Sequence, residues 1–172
     1  MTADYAYLIN GCRRHDRRAQ RALYDTFAPM AMGVCMRYAT DRDAAQDLLQ
    51  DGFVQVFEHI GRVRDPERLG GWIYRVILNE CLQHYRRNER QLYVDDVMVE
   101  KVELPLDPFG TEEVVLALQK LTPAQRTAFN LVEVEGYTYQ AAASEMHCSE
   151  VSVRALLSRA KSRLKEILNR TR

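Results

Sequence analysis

The segment from Gly136 to Lys161 constrains this chain more than any other. It holds two potential helix starts and one turn at fixed offsets. Thr138 precedes Tyr139 to Met146, and Ser149 precedes a longer run from Glu150. Both hydroxyls suit the N-cap position, where a side-chain oxygen accepts from an orphan N–H of the first turn. In the second run Val153, Leu157, Ala160 and Leu164 recur at helical spacing and form an inward stripe. Arg154, Ser158, Arg159 and Lys161 fall largely outside it. The small residues Ala141 to Ala143 let the first helix approach the second closely. A short helix, a tight turn and a second helix with a basic outer face are the pattern of a helix-turn-helix, which usually reads DNA. An amphipathic hairpin with a solvated basic face is the plainer alternative.

The residues before this segment are also helical in pattern. Thr122-Pro-Ala-Gln125 is a capping box with Pro at the first helical position. It opens a helix predicted to end at Gly136, where a left-handed backbone costs little. Toward the N-terminus, Leu23, Phe27, Ala31, Val34 and Tyr38 share one face. Ala45, Leu48, Leu49, Gly52, Phe53, Val56, Phe57 and Ile60 share another. Asp65-Pro66 signals a further helix start, and after a break at Gly70-Gly71 a long helix is predicted from Trp72 to Arg87. From Glu89 to Thr111 the periodicity stops, and Pro105, Pro108 and Gly110 punctuate an acidic stretch. This predicts a linker, with a short turn of structure near Leu92 to Met98.

The expected fold is therefore all-α: two small helical domains, residues 1–88 and 112–172, joined by an acidic linker, 89–111. A domain of about 60 residues buries only about 60% of its unfolded surface, so the second is expected to be marginal alone.

The chain has 24 Lys and Arg against 24 Asp and Glu, giving a formal net charge of +0. That balance hides segregation. Arginines cluster at Arg13 to Arg21, at Arg62 to Arg68 and at Arg86 to Arg90, and the last 20 residues are basic. Acid gathers at Asp41 to Asp51 and at Asp95 to Glu113. Local patches decide attraction to phosphate. Cys12, Cys35, Cys81 and Cys148 are scattered, as expected of buried reduced thiols, and no clustered metal-ligand set is seen. No apolar run approaches the ~20 residues that span a bilayer, and the N-terminus lacks a signal-peptide pattern. A cytoplasmic protein with no membrane insertion is expected.

Two further helical faces carry chemistry. Asp47, Gln50, Asp51, Val54 and Glu58 follow i, i+3, i+4, i+7, i+11, opposite the apolar face of their helix. Such a mixed acidic face suits a basic partner helix, with a solubilising surface as the alternative. Between Trp72 and Arg87, the aromatics Trp72, Tyr74 and Tyr85 are interleaved with Arg75, Asn79, Gln83, His84, Arg86 and Arg87. Aromatics stack on unpaired bases while cations hold the backbone, so this helix suits single-stranded DNA. Core packing is the alternative for Trp72 and Tyr85.

Several motifs now stand in order: Asp47-Leu-Leu-Gln-Asp-Gly-Phe53, Gly71-Trp-Ile-Tyr-Arg-Val-Ile-Leu-Asn79, His84-Tyr-Arg-Arg87, Leu121-Thr-Pro-Ala-Gln-Arg126, Glu135-Gly-Tyr-Thr-Tyr139 and Ser158-Arg-Ala-Lys161. From about Leu8 to Leu168 the chain resembles a bacterial RNA polymerase sigma factor of the extracytoplasmic-function group of the sigma-70 family. The resemblance implies sigma-2-like and sigma-4-like domains. It implies that Asp47, Gln50, Asp51, Val54 and Glu58 bind the β′ clamp helices of core RNA polymerase. It implies that Arg62, Arg64, Trp72, Arg75, Asn79, Gln83, Tyr85, Arg86 and Arg87 recognise and melt the minus-ten element, including a flipped base of the non-template single strand. Thr138, Ser149, Ser152, Arg154, Ala155, Ser158, Arg159 and Lys161 are then the contacts to the duplex minus-thirty-five element. The second domain would also touch the β flap. An anti-sigma factor is a further implied partner; no cofactor and no metal is. His147, Cys148, Val151 and Leu156 depart from the residues common in the family, and they bear on which promoter is read.

A stand-alone helix-turn-helix repressor or activator is the alternative function, but it leaves the aromatic-basic helix at Trp72 without a task. No paired nucleophile and base and no phosphate-cradling glycine loop points to an enzyme.

Overall fold

The computed structural model describes residues 4–88 and 112–170. Among these residues the regular structure is helical, with no strand. The expected linker, including the turn near Leu92 to Met98, lies outside the described residues.

The helices are α1 (Tyr5–Arg13), α2 (Arg17–Tyr38), α3 (Arg42–His59), α4 (Leu69–Asn88), α5 (Glu112–Gln119), α6 (Pro123–Phe129), α7 (Tyr139–Met146) and α8 (Glu150–Arg170). The chain divides into two compact units. One comprises Met1–Met36 with Arg42–Cys81, the other Arg37–Asp41 with Leu82–Arg172.

In the first unit, the faces expected from periodicity turn inward. Leu23, Phe27, Ala31 and Val34 of α2 are buried, as are Ala45, Leu48, Phe53 and Val56 of α3 and Leu69, Ile73 and Ile77 of α4. Gly52 has a packing reason: a Cβ there would stand 2.5 Å from Ile77 Cδ1, so any side chain would have to displace the end of Ile77 from its place in the core. The expected break at Gly70-Gly71 is absent. Asp65 caps a short 3-10 turn, Pro66–Arg68, which runs directly into α4 with both glycines inside the helix. A glycine costs a helix interior about 1 kcal/mol, which the packing of Leu69 and Ile73 on either side outweighs.

The second unit is organised around α8, whose Leu157, Ala160 and Leu164 join Ala117, Leu118, Leu121 and Phe129 in one apolar cluster. The Thr122 capping box forms as expected: Thr122 Oγ1 accepts from the Gln125 N–H, and Gln125 Oε1 accepts from the Thr122 N–H. After Phe129 the helix widens into a π-turn, Asn130–Val134, and stops at Gly136 with φ +71°. Arg126 is only 1% exposed. Its guanidinium donates to the carbonyls of Gln119 and Leu121 at the end of α5, each at 3.3 Å, and to Tyr38 O at 2.9 Å. Asn130 donates to Arg37 O at 2.8 Å, and Arg37 pairs with Glu135 at 3.3 Å. These bonds hold residues 37–41 in the second unit. The end of α4 belongs there too, so this unit starts at Leu82 rather than beyond Asn88.

Cys12, Cys35 and Cys81 are buried and Cys148 is half-buried. Burial, with the nearby Asp16, pushes the Cys12 thiol up to about 11, and burial raises Cys148 as well. Both are therefore protonated and poorly nucleophilic near neutral pH. Among the described residues no group of His, Cys, Asp or Glu is arranged to hold a metal ion. No described helix is long and apolar enough to cross a membrane.

Candidate nucleic-acid and partner-binding faces

On α3, Leu48, Gly52, Phe53 and Val56 turn inward, so the opposite stripe must face out. Asp47, Gln50, Asp51, Val54 and Glu58 are all exposed, Val54 to 51%. Three carboxylates and one amide thus surround an uncovered aliphatic side chain. Beside Gln50 runs an open groove of about 590 Å³ between α2 and α3, lined by Tyr24, Pro29, Met32, Arg42, Gln46 and Leu49 among others. The groove residues have no sequence signal of their own, because their grouping arises only when the two helices pack.

The loop after α3 carries Arg62 and Arg64, both exposed. Arg13 of α1 pins it: Nη2 donates to Val63 O at 2.6 Å and to Gly61 O at 3.4 Å. Sequence reasoning counted Arg13 as part of a basic cluster and missed this role, since its partners lie about 50 residues away. On α4, Trp72 is half-buried, while Arg75 and Asn79 are exposed. These three follow i, i+3, i+7 and share a face. Further along α4, Gln83 and Arg87 are exposed and Tyr85 is half-buried. Tyr85 follows Tyr74, Leu78 and Cys81 at helical spacing, which sets it on a different side from Trp72 and Arg75. Arg86 is already engaged: its Nη1 lies 2.9 Å from Glu145 Oε2 and 3.2 Å from Glu145 O.

The helix-turn-helix has its expected caps. Thr138 Oγ1 accepts from the Ala141 N–H at 3.1 Å, and Ser149 Oγ accepts from the Ser152 N–H at 3.1 Å. His147 sits in the turn with φ +54°, a left-handed conformation that His tolerates better than most residues. On α8, Arg154 is exposed, and Ser158, Arg159 and Lys161 are half-buried. Ala155 does not reach the surface. At 4% exposure it packs inward beside the Val153 and Leu157 stripe, so its side chain is a core contact rather than a DNA contact. Ser149 and Ser152 hydroxyls bond each other at 2.9 Å. Lys161 Nζ lies 2.7 Å from Glu133 Oε1. Two residues absent from the sequence-based set join this face. Tyr139 lies under Arg154, with its ring centroid 4.1 Å from the guanidinium carbon, and Val151 is 61% exposed.

A capped helix-turn-helix with a basic face, in one chain with an exposed acidic face and an aromatic-basic helix, defines a DNA-binding transcription protein with a protein partner. The Sigma-70 region 2 family matches residues 23–91, and the Sigma-70 region 4 family matches residues 111–164. Together they cover α3 to α7 in full and most of α2 and α8. The chain belongs to the sigma-70 family, in its extracytoplasmic-function group, and is a sigma factor that directs RNA polymerase to promoters. It is similar to the RNA polymerase sigma-H factor of Pseudomonas aeruginosa, at 25% identity over 94% of this chain and 92% of that one. It is also similar to the sigma factor SigM of Bacillus subtilis (26%, 76% and 83%) and to CarQ of Myxococcus xanthus (28%, 87% and 91%). The same fold occurs in the sigma factor RpoE of Bartonella quintana, solved in complex with the anti-sigma factor NepR. That match has a TM-score of 0.50 at 23% identity, covering 88% of this chain and 98% of that one.

Proposed function

We propose that the three faces divide the work of initiation. The α3 face, with Asp47, Gln50, Asp51, Val54 and Glu58, docks on the β′ clamp helices of core polymerase. The groove beside Gln50 receives a side chain at the edge of that contact. The observation that carries this is the uncovered Val54 ringed by three exposed carboxylates. An apolar centre with a charged rim is the usual anatomy of a protein interface, and the acidic rim selects a basic partner.

The loop bearing Arg62 and Arg64, fixed by Arg13, engages the minus-ten element together with Trp72, Arg75 and Asn79. Bases of the non-template strand unstack there at a cost of a few kcal/mol, offset by stacking and hydrogen bonds. Helix α8 enters the major groove of the minus-thirty-five duplex, with Thr138, Ser149 and the basic residues along the phosphates. The second unit also meets the β flap. The protein acts in the cytoplasm, makes and breaks no covalent bond itself, and is held inactive by an anti-sigma factor that covers these faces.

Run-off transcription with purified bacterial core enzyme tests the reading. The full chain is expected to form a holoenzyme and start transcripts at discrete promoters. A chain that binds duplex DNA but never joins core would instead be a stand-alone regulator.

A further inference from the structure

We propose that the start of α8 reads a guanine next to a thymine. Arg154, steadied by Tyr139, takes the guanine, and Val151 packs on the thymine methyl. The proposal rests on the reading above that α8 enters duplex DNA, and it names what the helix recognises there.

Val151 stands in the first turn of α8 and is 61% exposed, more than Tyr7, Val54 or Leu116, the other exposed large hydrophobic side chains among the described residues. Its neighbours Glu150 and Arg154 are exposed and polar. A lone exposed aliphatic is ordinary on a protein surface. Its position here is informative, because it shares one ridge with Arg154, three residues on. That ridge is the part of α8 nearest the turn, the part a recognition helix presents to base edges.

At this end Glu150 is an exposed carboxylate, while the hydroxyls of Ser149 and Ser152 bond each other and Ala155 is buried. Arg154 is held as well, but by a ring rather than by a hydrogen-bond acceptor or a carboxylate. The guanidinium lies over the Tyr139 ring at 4.1 Å. Stacking engages the face of the guanidinium plane, whereas its N–H donors point along the edge. Tyr139 is itself fixed as the first residue of α7, behind the Thr138 cap, and packs against the apolar cluster. The arginine therefore loses less rotamer freedom when it binds.

The chemistry of the major groove then assigns the partners. Guanine offers O6 and N7 as paired acceptors, which a guanidinium fork meets in a bidentate contact. Thymine alone among the four bases carries a methyl group in that groove, and an aliphatic side chain is its apolar complement. Three residues of helix advance about 4.5 Å. Adjacent base pairs are about 3.4 Å apart along a strand. The two side chains thus match neighbouring base pairs.

The test uses holoenzyme assembled from the full chain and bacterial core polymerase. Templates that yield transcripts are selected from a promoter library randomised at both elements and sequenced. The wild type is expected to enrich a guanine and a thymine at neighbouring upstream pairs. Replacing that thymine by deoxyuridine, which lacks only the methyl, should weaken wild-type binding about four-fold, the worth of one buried methyl. Val151→Ala should bind the two templates equally. Tyr139→Phe should keep the guanine preference, and Tyr139→Ala should reduce it about ten-fold. Rescue by the phenyl ring separates stacking from the tyrosine hydroxyl. Enrichment of an upstream sequence without the guanine–thymine neighbours overturns the proposal but leaves the sigma reading standing. So does a wild type indifferent to deoxyuridine. Failure to start any transcript overturns both.

Discussion

On α3, Val54 stands exposed among Asp47, Gln50, Asp51 and Glu58; on α8, Val151 stands exposed beside Arg154. Each is an aliphatic side chain on a helix with charged neighbours, acidic around Val54 and of both signs, Glu150 and Arg154, around Val151. They differ in how far the rim is already engaged. Glu58 accepts from Gln55 Nε2 at 3.3 Å, but no hydrogen bond or ion pair within the described residues holds Asp47, Gln50 or Asp51, which leave most of the rim unengaged. On α8, Arg154 is stacked on Tyr139, Lys161 is paired with Glu133, and the two serines hold each other. An unengaged acidic rim keeps its full charge for steering a basic protein surface and orders its side chains only on contact. A base-reading face needs its donors at fixed places beforehand, and internal contacts supply that.

The acidic rim is the place to break this contrast first. Asp47→Arg with Asp51→Arg reverses two charges of that rim. Core affinity is expected to fall about 100-fold or more, measured by competition with labelled wild-type protein for core polymerase. Both carboxylates are exposed and unengaged, so the melting temperature should hardly move. Undiminished affinity would mean that the α3 face is a solvated surface and that the resemblance between the two faces is empty.

The α4 face lies between the extremes, with Trp72 half-buried and Arg75 and Asn79 exposed. Trp72→Ala in the holoenzyme is expected to reduce open-complex formation about ten-fold, read by permanganate reactivity of unpaired thymines, as the loss of one stacked base requires. Closed-complex binding should change by about two-fold or less. Equal losses in both steps would assign Trp72 to packing rather than to opening.

Most of the helices were legible because their signals are local. Periodicity placed the inward stripes of α2, α3 and α8, and the caps at Thr122, Thr138 and Ser149 formed as their spacing required. His147 occupies the tight turn between the two helices in a left-handed conformation, and His15 adopts another with φ +57°. Gly70-Gly71 misled, since glycine weakens a helix without ending it when apolar neighbours on both sides are buried. The long-range partners were not legible. Arg13 meets the loop after α3, Arg126 caps the end of α5, and Tyr139 underlies Arg154 only because separate elements pack. Ala155 shows the converse. The resemblance placed it among the DNA contacts, but the apolar stripe it joins is wide enough to bury it.

The smallest expected effect probes the engaged rim itself. Lys161 is bound to Glu133 at 2.7 Å, so its charge is partly spent before DNA arrives. Glu133→Gln removes the carboxylate while keeping the shape of the side chain. A half-exposed pair of this kind contributes little to stability, so the protein should melt within a few degrees of the wild type. The freed ammonium should then reach phosphate. Binding of the full chain to non-specific duplex is expected to tighten about two- to three-fold at low salt. The slope of log affinity against log salt should steepen by about 0.9, the signature of one added phosphate contact. A tighter complex with an unchanged slope would exclude a new phosphate contact by Lys161. No change in either would mark the pair as packing, and Arg154 would then be the pre-engaged cation left at the reading end of α8.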